Sequence, residues 1–167
     1  MVPMCVQTLV FTNPPNPSVL VLCPVEDYGA RRTCRVVPIW IGTPEARMLG
    51  AALEDMKSRR PMTHDLFVNA ITNLDAVVER AEITDQRGEI FVAKLVLRQG
   101  ERLIELDARP SDAIALAVRE GAVILMSEDV LSRASFPFIF KNEVADEAEI
   151  EEFHSFIESL SPEDFLQ

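Results

Sequence analysis

The pattern of apolar residues predicts an α+β domain, with a largely antiparallel or mixed sheet and helices packed against it. Three strand-like runs occupy the first 41 residues, and three more follow one another from Ala76 to Asp107. The helical patterns fall in separate blocks between and after them. A doubly wound parallel sheet would instead alternate strand and helix one by one.

The first strands are expected at Met4 to Thr12 and Ser18 to Cys23, parted by Asn13-Pro14-Pro15-Asn16-Pro17. Three prolines there forbid helix and sheet interior alike. Glu26 to Arg32 reads as a second turn and Arg35 to Ile41 as a third strand, together an antiparallel meander. Thr43 then offers a hydroxyl cap ahead of Pro44 and Glu45. Ala46, Leu49, Leu53 and Met56 follow at helical spacing. Thr63 offers a second cap, with Leu66, Phe67, Ala70, Ile71 and Leu74 on one helical face.

Ala76 to Thr84, Glu89 to Arg98 and Arg102 to Asp107 read as consecutive strands joined by turns containing Gly88 and Gly100. In the middle strand Phe91, Ala93, Leu95 and Leu97 share one face. The other face mixes Lys94 and Arg98 with Ile90, Val92 and Val96, so a helix or a second subunit is expected to cover it. A nearly all-apolar helix then runs to a stop at Gly121. Val123 to Met126 reads as a short strand, Glu128 to Arg133 as a helical turn, and Phe136 to Phe140 as a hydrophobic connector. Ile150, Phe153, Ile157 and Leu160 recur at helical spacing in the tail.

A chain of 167 residues suits one domain with a substantial core. Residues 1–140 form the expected body, and residues 141–167 an acidic amphipathic helix docking on it or on a partner. The apolar runs fall far short of the roughly 18 residues that span a bilayer, so no membrane contact is expected. The first 30 residues hold no Lys or Arg. The basic region of a secretory leader is therefore missing, and a cytoplasmic location is expected. Cys5, Cys23 and Cys34 include no Cys-x-x-Cys unit, which argues against zinc and for reduced thiols. Cys5 and Cys23 are equidistant from Pro14, so a hairpin turning there would set them opposite each other.

The formal charge is −11. Nine acids against one Lys give residues 141–167 a net −8, which leaves −3 on residues 1–140. Nucleic-acid binders usually show a basic footprint, so any contact with DNA or RNA must be local. Arg59, Arg60 and Arg109 are the candidates for it. Arg31, Arg32 and Arg35 read as a solvated loop.

The densest chemistry lies in Asp107 to Ala117, where two carboxylates, a guanidinium and a hydroxyl precede an apolar helix. Such groups at the edge of a core must be paired, hydrogen-bonded or used on a ligand. In one reading Ser111 or its neighbour caps the helix, Asp112 favours the positive dipole end, and Arg109 pairs with Asp107 or a distant acid. In the other, Arg109 and the helix N-terminus receive a phosphate, while Asp107 and Asp112 hold a metal or activate water.

The Asp-Ala-Arg-Pro-Ser-Asp-Ala string, together with Pro38 to Gly42 and Arg60 to Leu66, resembles the bifunctional nuclease domain family over about Val36 to Leu131. The resemblance implies a phosphodiester hydrolase (DNase, RNase or both) acting through local contact with nucleic acid. Asp107, Asp112 and His64 become catalytic candidates, and Arg109, Ser111 and Arg60 substrate-binding candidates. Asp107 and Asp112 are the candidate ligands for Mg²⁺ or Mn²⁺, oxygen-seeking ions suited to carboxylates. No organic cofactor is expected. The rival expectation is a non-enzymatic interaction or regulatory domain, and a homodimer fits either.

Other polar residues have plainer explanations. His154 is assigned to the tail's surface or docking edge, and Glu45 to its helix dipole. Trp40 could stack a base, but within a strand it is expected to pack. Gly42 is read as permitting a tight bend. No Walker loop, dinucleotide fingerprint, His-Glu-x-x-His or nucleophile elbow is present.

Overall fold

One mixed sheet organises the chain in a computed structural model, which describes residues 1–12, 15–28, 33–56, 58–139 and 147–166. Its strands are β1 (Val2–Val10), β2 (Ser18–Pro24), β3 (Thr33–Ile41), β4 (Ala76–Arg87), β5 (Ile90–Gln99), β6 (Arg102–Ala108), β7 (Val123–Met126) and β8 (Phe136–Ile139). They lie in the order β6-β5-β4-β7-β1-β2-β3-β8. The helices among the described residues are α1 (Thr43–Leu53), α2 (Thr63–Asn73), α3 (Pro110–Glu120), α4 (Glu128–Ala134) and α5 (Glu147–Ser159). The α+β class is as expected. The sheet is mixed because β7 runs parallel to β4, while its remaining pairings are antiparallel.

The meander β1-β2-β3 forms as its alternation predicts, with Cys5 registered against Cys23. Pro38 sits inside β3, yet β8 pairs only with Thr33 to Val36. The missing amide of Pro38 therefore faces no β8 partner. The Phe136 to Ile139 segment is thus an edge strand rather than a connector, and its second residue, Pro137, suits an edge. Phe140, Arg31, Arg32 and the Asn13-Pro14 part of the first turn lie outside the described residues.

The larger core lies between the sheet and α1, α3 and α4, around Leu20, Leu22, Leu49, Ile83, Leu95, Ile114, Met126 and Leu131. In β4 a register shift between Val78 and Arg80 changes the alternation, so Ala81 and Ile83 continue the inward face of Ala76 and Val78. A second core on the other side joins Val21, Cys23, Cys34, Val36 and Phe138 to α5 through Phe153 and Ile157. Ile150, expected on that helix's buried face, is exposed.

On the outer face of β5, Val96 is buried between Arg80 and Glu105 in the register, whereas Ile90 on the same face is 70% exposed. The pairs Arg80–Glu82 at 2.6 Å and Lys94–Glu105 at 2.7 Å flank Val96 in the register. Conversely, α2 buries only Ile71 of its apolar face, leaving Leu66, Phe67, Ala70 and Leu74 exposed.

α3 is the structural axis of the site. Its Ala113, Ala115 and Ala117 carry almost no bulk, so α1 and the sheet close on it from several sides, and six of its eleven residues are buried. Gly121 ends it in the left-handed conformation at φ +63°, with the Ala122 amide returning to the Ala117 carbonyl at 2.8 Å.

Candidate active site

Three separate segments meet at the N-terminal end of α3. Arg109 precedes the helix in extended conformation, so its side chain reaches back across the helix mouth. Its Nε donates to Asp112 Oδ2 at 2.7 Å, and its Nη1 to Glu45 Oε1 of α1 at 2.7 Å. On the far side of Asp112, Oδ1 lies 3.2 Å from His64 Nε2, at the start of α2. Glu45, Arg109, Asp112 and His64 thus form one continuous polar chain across the three helices.

The charges in that chain are mutually supporting. Burial of Asp112 opposes its ionisation, but hydrogen bonds from Arg109 and His64 outweigh it and hold the carboxyl below its usual range. The same bond to Asp112, then the charge of that carboxylate and the bond to Glu45, raise Arg109 further. An ionised Asp112 can only accept, so His64 Nε2 carries the proton. His64 Nδ1 is buried with no partner among the described residues.

The mouth is open to solvent. The Arg109 side chain is 64% exposed although two acids hold it. Asp107, at the end of β6, is exposed and makes no side-chain hydrogen bond or ion pair among the described residues. It lines two adjoining clefts. One, of about 520 Å³, runs past Trp40, Glu45, Glu89, Phe91, Asp107, Arg109 and Ser111. The other, of about 580 Å³, runs past His64, Phe67, Leu106, Asp107, Arg109 and Asp112. Candidates His64, Arg109 and Asp112 are therefore brought together by side-chain bonds, while Asp107 shares the lining of both clefts but is registered opposite Lys94, on the sheet face away from Leu106 and Ala108.

The capping expectations fail in detail. Gly42, not Thr43, is the N-cap of α1, and Met62, not Thr63, that of α2, where the Asp65 carboxylate accepts from the Met62 amide at 2.8 Å. Ser111 does not cap α3. It is buried at the second position of the helix, and the N-cap is Arg109. The amides of Asp112 and Ala113 turn back to the Arg109 carbonyl, and Pro110 has none, so little of the helix N-terminus is left for an anion. Of the two partners expected for Arg109, the distant acid is the one found, as Glu45, and Asp112 rather than Asp107 is the local one. Arg60 is exposed and lines neither cleft.

Glu45 is the residue that sequence reasoning passed over. Gly42 is its signal. The backbone there, at φ −66° and ψ 156°, suits any residue, but an added Cβ would run into the Glu45 carboxylate. Glycine makes room for the Glu45–Arg109 pair, not for a bend.

As a metal site the donor set is thin. Among the described residues no three His, Cys, Asp or Glu side chains are grouped to hold an ion. Both Asp112 oxygens are engaged, which leaves Asp107 as the free carboxylate.

The mixed sheet and this polar mouth define an α+β domain with a solvent-open polar site where three helices meet. The chain belongs to the bifunctional nuclease domain family, whose sequence model matches residues 29–139. Two relatives come from two strains of Mycobacterium tuberculosis, and each is named only as an uncharacterized protein. Each is 36% identical over 138 residues, covering 78% of this chain and 81% of its own length. No helix among the described residues is long and apolar enough to cross a membrane.

Proposed function

We propose that this protein is a phosphodiester hydrolase acting on DNA, RNA or both, with its centre at the α3 mouth. The supporting observation is one exposed guanidinium held by Glu45 and Asp112, with His64 behind Asp112 and Asp107 lining the same clefts. Arg109 presents its open side to a phosphodiester oxygen and stabilises the charge that grows there during displacement. Asp107, unpaired among the described residues in the same clefts, takes the proton of the attacking water and returns it to the leaving oxygen as the P–O bond breaks. His64 and Glu45 are positioning residues: His64 fixes Asp112, and Asp112 with Glu45 aims Arg109. Ser111 lines the cleft floor, and Arg60 acts outside it by attracting the strand.

A Mg²⁺ or Mn²⁺ ion would be held by Asp107, joined by Asp112 on release from Arg109 or His64. There it would polarise the phosphoryl oxygen and make bound water more acidic. The test is cleavage of plasmid DNA and single-stranded RNA by wild type and Asp107→Asn purified in parallel, with and without chelator. Loss of cleavage in the variant supports the reading, and equal cleavage by both refutes it. Sensitivity to chelator decides whether the ion belongs to it.

A second reading, a cytoplasmic homodimer serving as an interaction domain, is favoured by the exposed apolar face of α2, with Leu66 63% and Leu74 65% exposed. Sedimentation over a concentration series, with Leu66→Glu as comparator, tests it. A monomer at every concentration removes it.

A further inference from the structure

We propose that Trp40, Phe91 and Phe136 form a nucleobase subsite beside the α3 mouth, and that Phe165 occupies it in competition with single-stranded nucleic acid. The proposal rests on the hydrolase reading and adds its substrate class. Phe165 stands in the 3₁₀ turn Pro162–Leu166 that follows α5. Its ring centroid lies 5.6 Å from Trp40, 5.5 Å from Phe91 and 5.7 Å from Phe136. The first two contacts are edge-on, at 75° and 87°. Trp40 and Phe91 also line the cleft that holds Asp107 and Arg109. The aromatic box therefore opens onto the groups proposed to act on the phosphate.

Charge decides which nucleic acid fits. That cleft presents Glu45, Glu89 and Asp107 against the single cation Arg109, on a chain of net charge −11. A duplex, dense in phosphate, gains little there and meets repulsion. A single strand can turn a base inward and bind by stacking, which needs an aromatic surface rather than many cations. The cleft volume of about 520 Å³ lies within the range of small-molecule sites. Phe165 is partly buried and fills the position a base would take, while Glu163 and Asp164 beside it add further repulsion toward an incoming strand.

Trp40 is the only tryptophan of the chain, so tryptophan emission, excited selectively over Tyr28, reports on this box alone. The experiment titrates oligodeoxythymidylate and oligouridylate of about ten nucleotides into wild type, Phe165→Ala and Phe165→Leu, with an equal-length duplex as comparator. Emission and the anisotropy of a labelled strand are both read before turnover. The expected result is quenching by single strands, binding about tenfold tighter in Phe165→Ala, a smaller gain in Phe165→Leu, and weaker binding of duplex. Absence of quenching, unchanged affinity in variants that still melt cooperatively, or equal affinity for duplex would each overturn the proposal. Because the readout is binding, its failure is separable from failure of cleavage in the hydrolase assay.

Discussion

Asp112 Oδ1 lies 3.2 Å from His64 Nε2, so residues 48 positions apart in the chain share one hydrogen bond at the mouth of α3. Arg109 holds the other oxygen of the same carboxylate at 2.7 Å. Asp112 is therefore the joint through which the second and third motif segments are fixed to each other.

That joint has a pH signature. The folded state holds the Asp112 carboxyl below its ordinary value, so the folded protein binds fewer protons here than the unfolded chain as it titrates. Its contribution to stability is complete above the unfolded value, about pH 4, and is lost as pH falls through the lower folded value. Denaturant titrations between neutral and acid pH should show Asp112→Asn losing less stability on acidification than wild type. Parallel profiles would show that Arg109 and His64 do not support the charge.

Gly42 should behave as part of the site despite having no side chain. Gly42→Ala should fold, displace the Glu45 carboxylate and reduce cleavage, with Glu45→Gln giving a similar loss. A crystal structure of Gly42→Ala with the Glu45–Arg109 pair intact would contradict the assignment of the glycine to that pair.

In the same first turn of α2, next to His64, Asp65 has two duties: it accepts from the Met62 amide and pairs with Arg119 at 2.5 Å. Arg119 is 13% exposed, and its Nε and Nη2 are buried without partners among the described residues. Removing Asp65 strands that charge, so Asp65→Ala should cost about 3 kcal/mol, whereas Arg119→Met should stay within about 1 kcal/mol of wild type. Urea melts of the two variants check the asymmetry, and equal losses would contradict it.

The thiols should differ in reactivity. Cys5 and Cys23 Sγ are 3.5 Å apart, and all three cysteines are free. Burial pushes the half-exposed Cys5 upward, and Cys23 is pushed far higher by its hydrogen bond to Cys34 and by burial. Thiol titration at neutral pH should show one slow group, Cys5, and two that react only on unfolding. Three rapid thiols would contradict the packing of the β1-β2-β3 face.

The sequence signals that succeeded were local ones. Period-two alternation and glycine turns placed β4, β5 and β6 to within a few residues, and the equal spacing about Pro14 anticipated Cys5 opposite Cys23. What failed depends on contacts between distant segments. Phe136 to Ile139 has the composition of a connector but finds the open edge of β3. Glu45 looked like a helix-dipole acid until α1 and α3 were brought together, and only the glycine three residues earlier hinted otherwise. Leu66 and Leu74 have the spacing of a buried face, yet nothing among the described residues covers them. The Arg109–Asp112 pair lay within reach of the sequence, because i and i+3 face each other at a helix start.

Arg109→Ala, melted and assayed for cleavage from one preparation, tests most directly whether the α3 mouth serves a substrate or braces the fold. With a guanidinium 64% exposed, its ion pairs are worth about 1 kcal/mol, or about 3 °C in Tm. The account predicts a melt within that margin of wild type together with loss of DNA and RNA cleavage. A collapse in Tm, or a stable variant that cleaves as well as wild type, would contradict it.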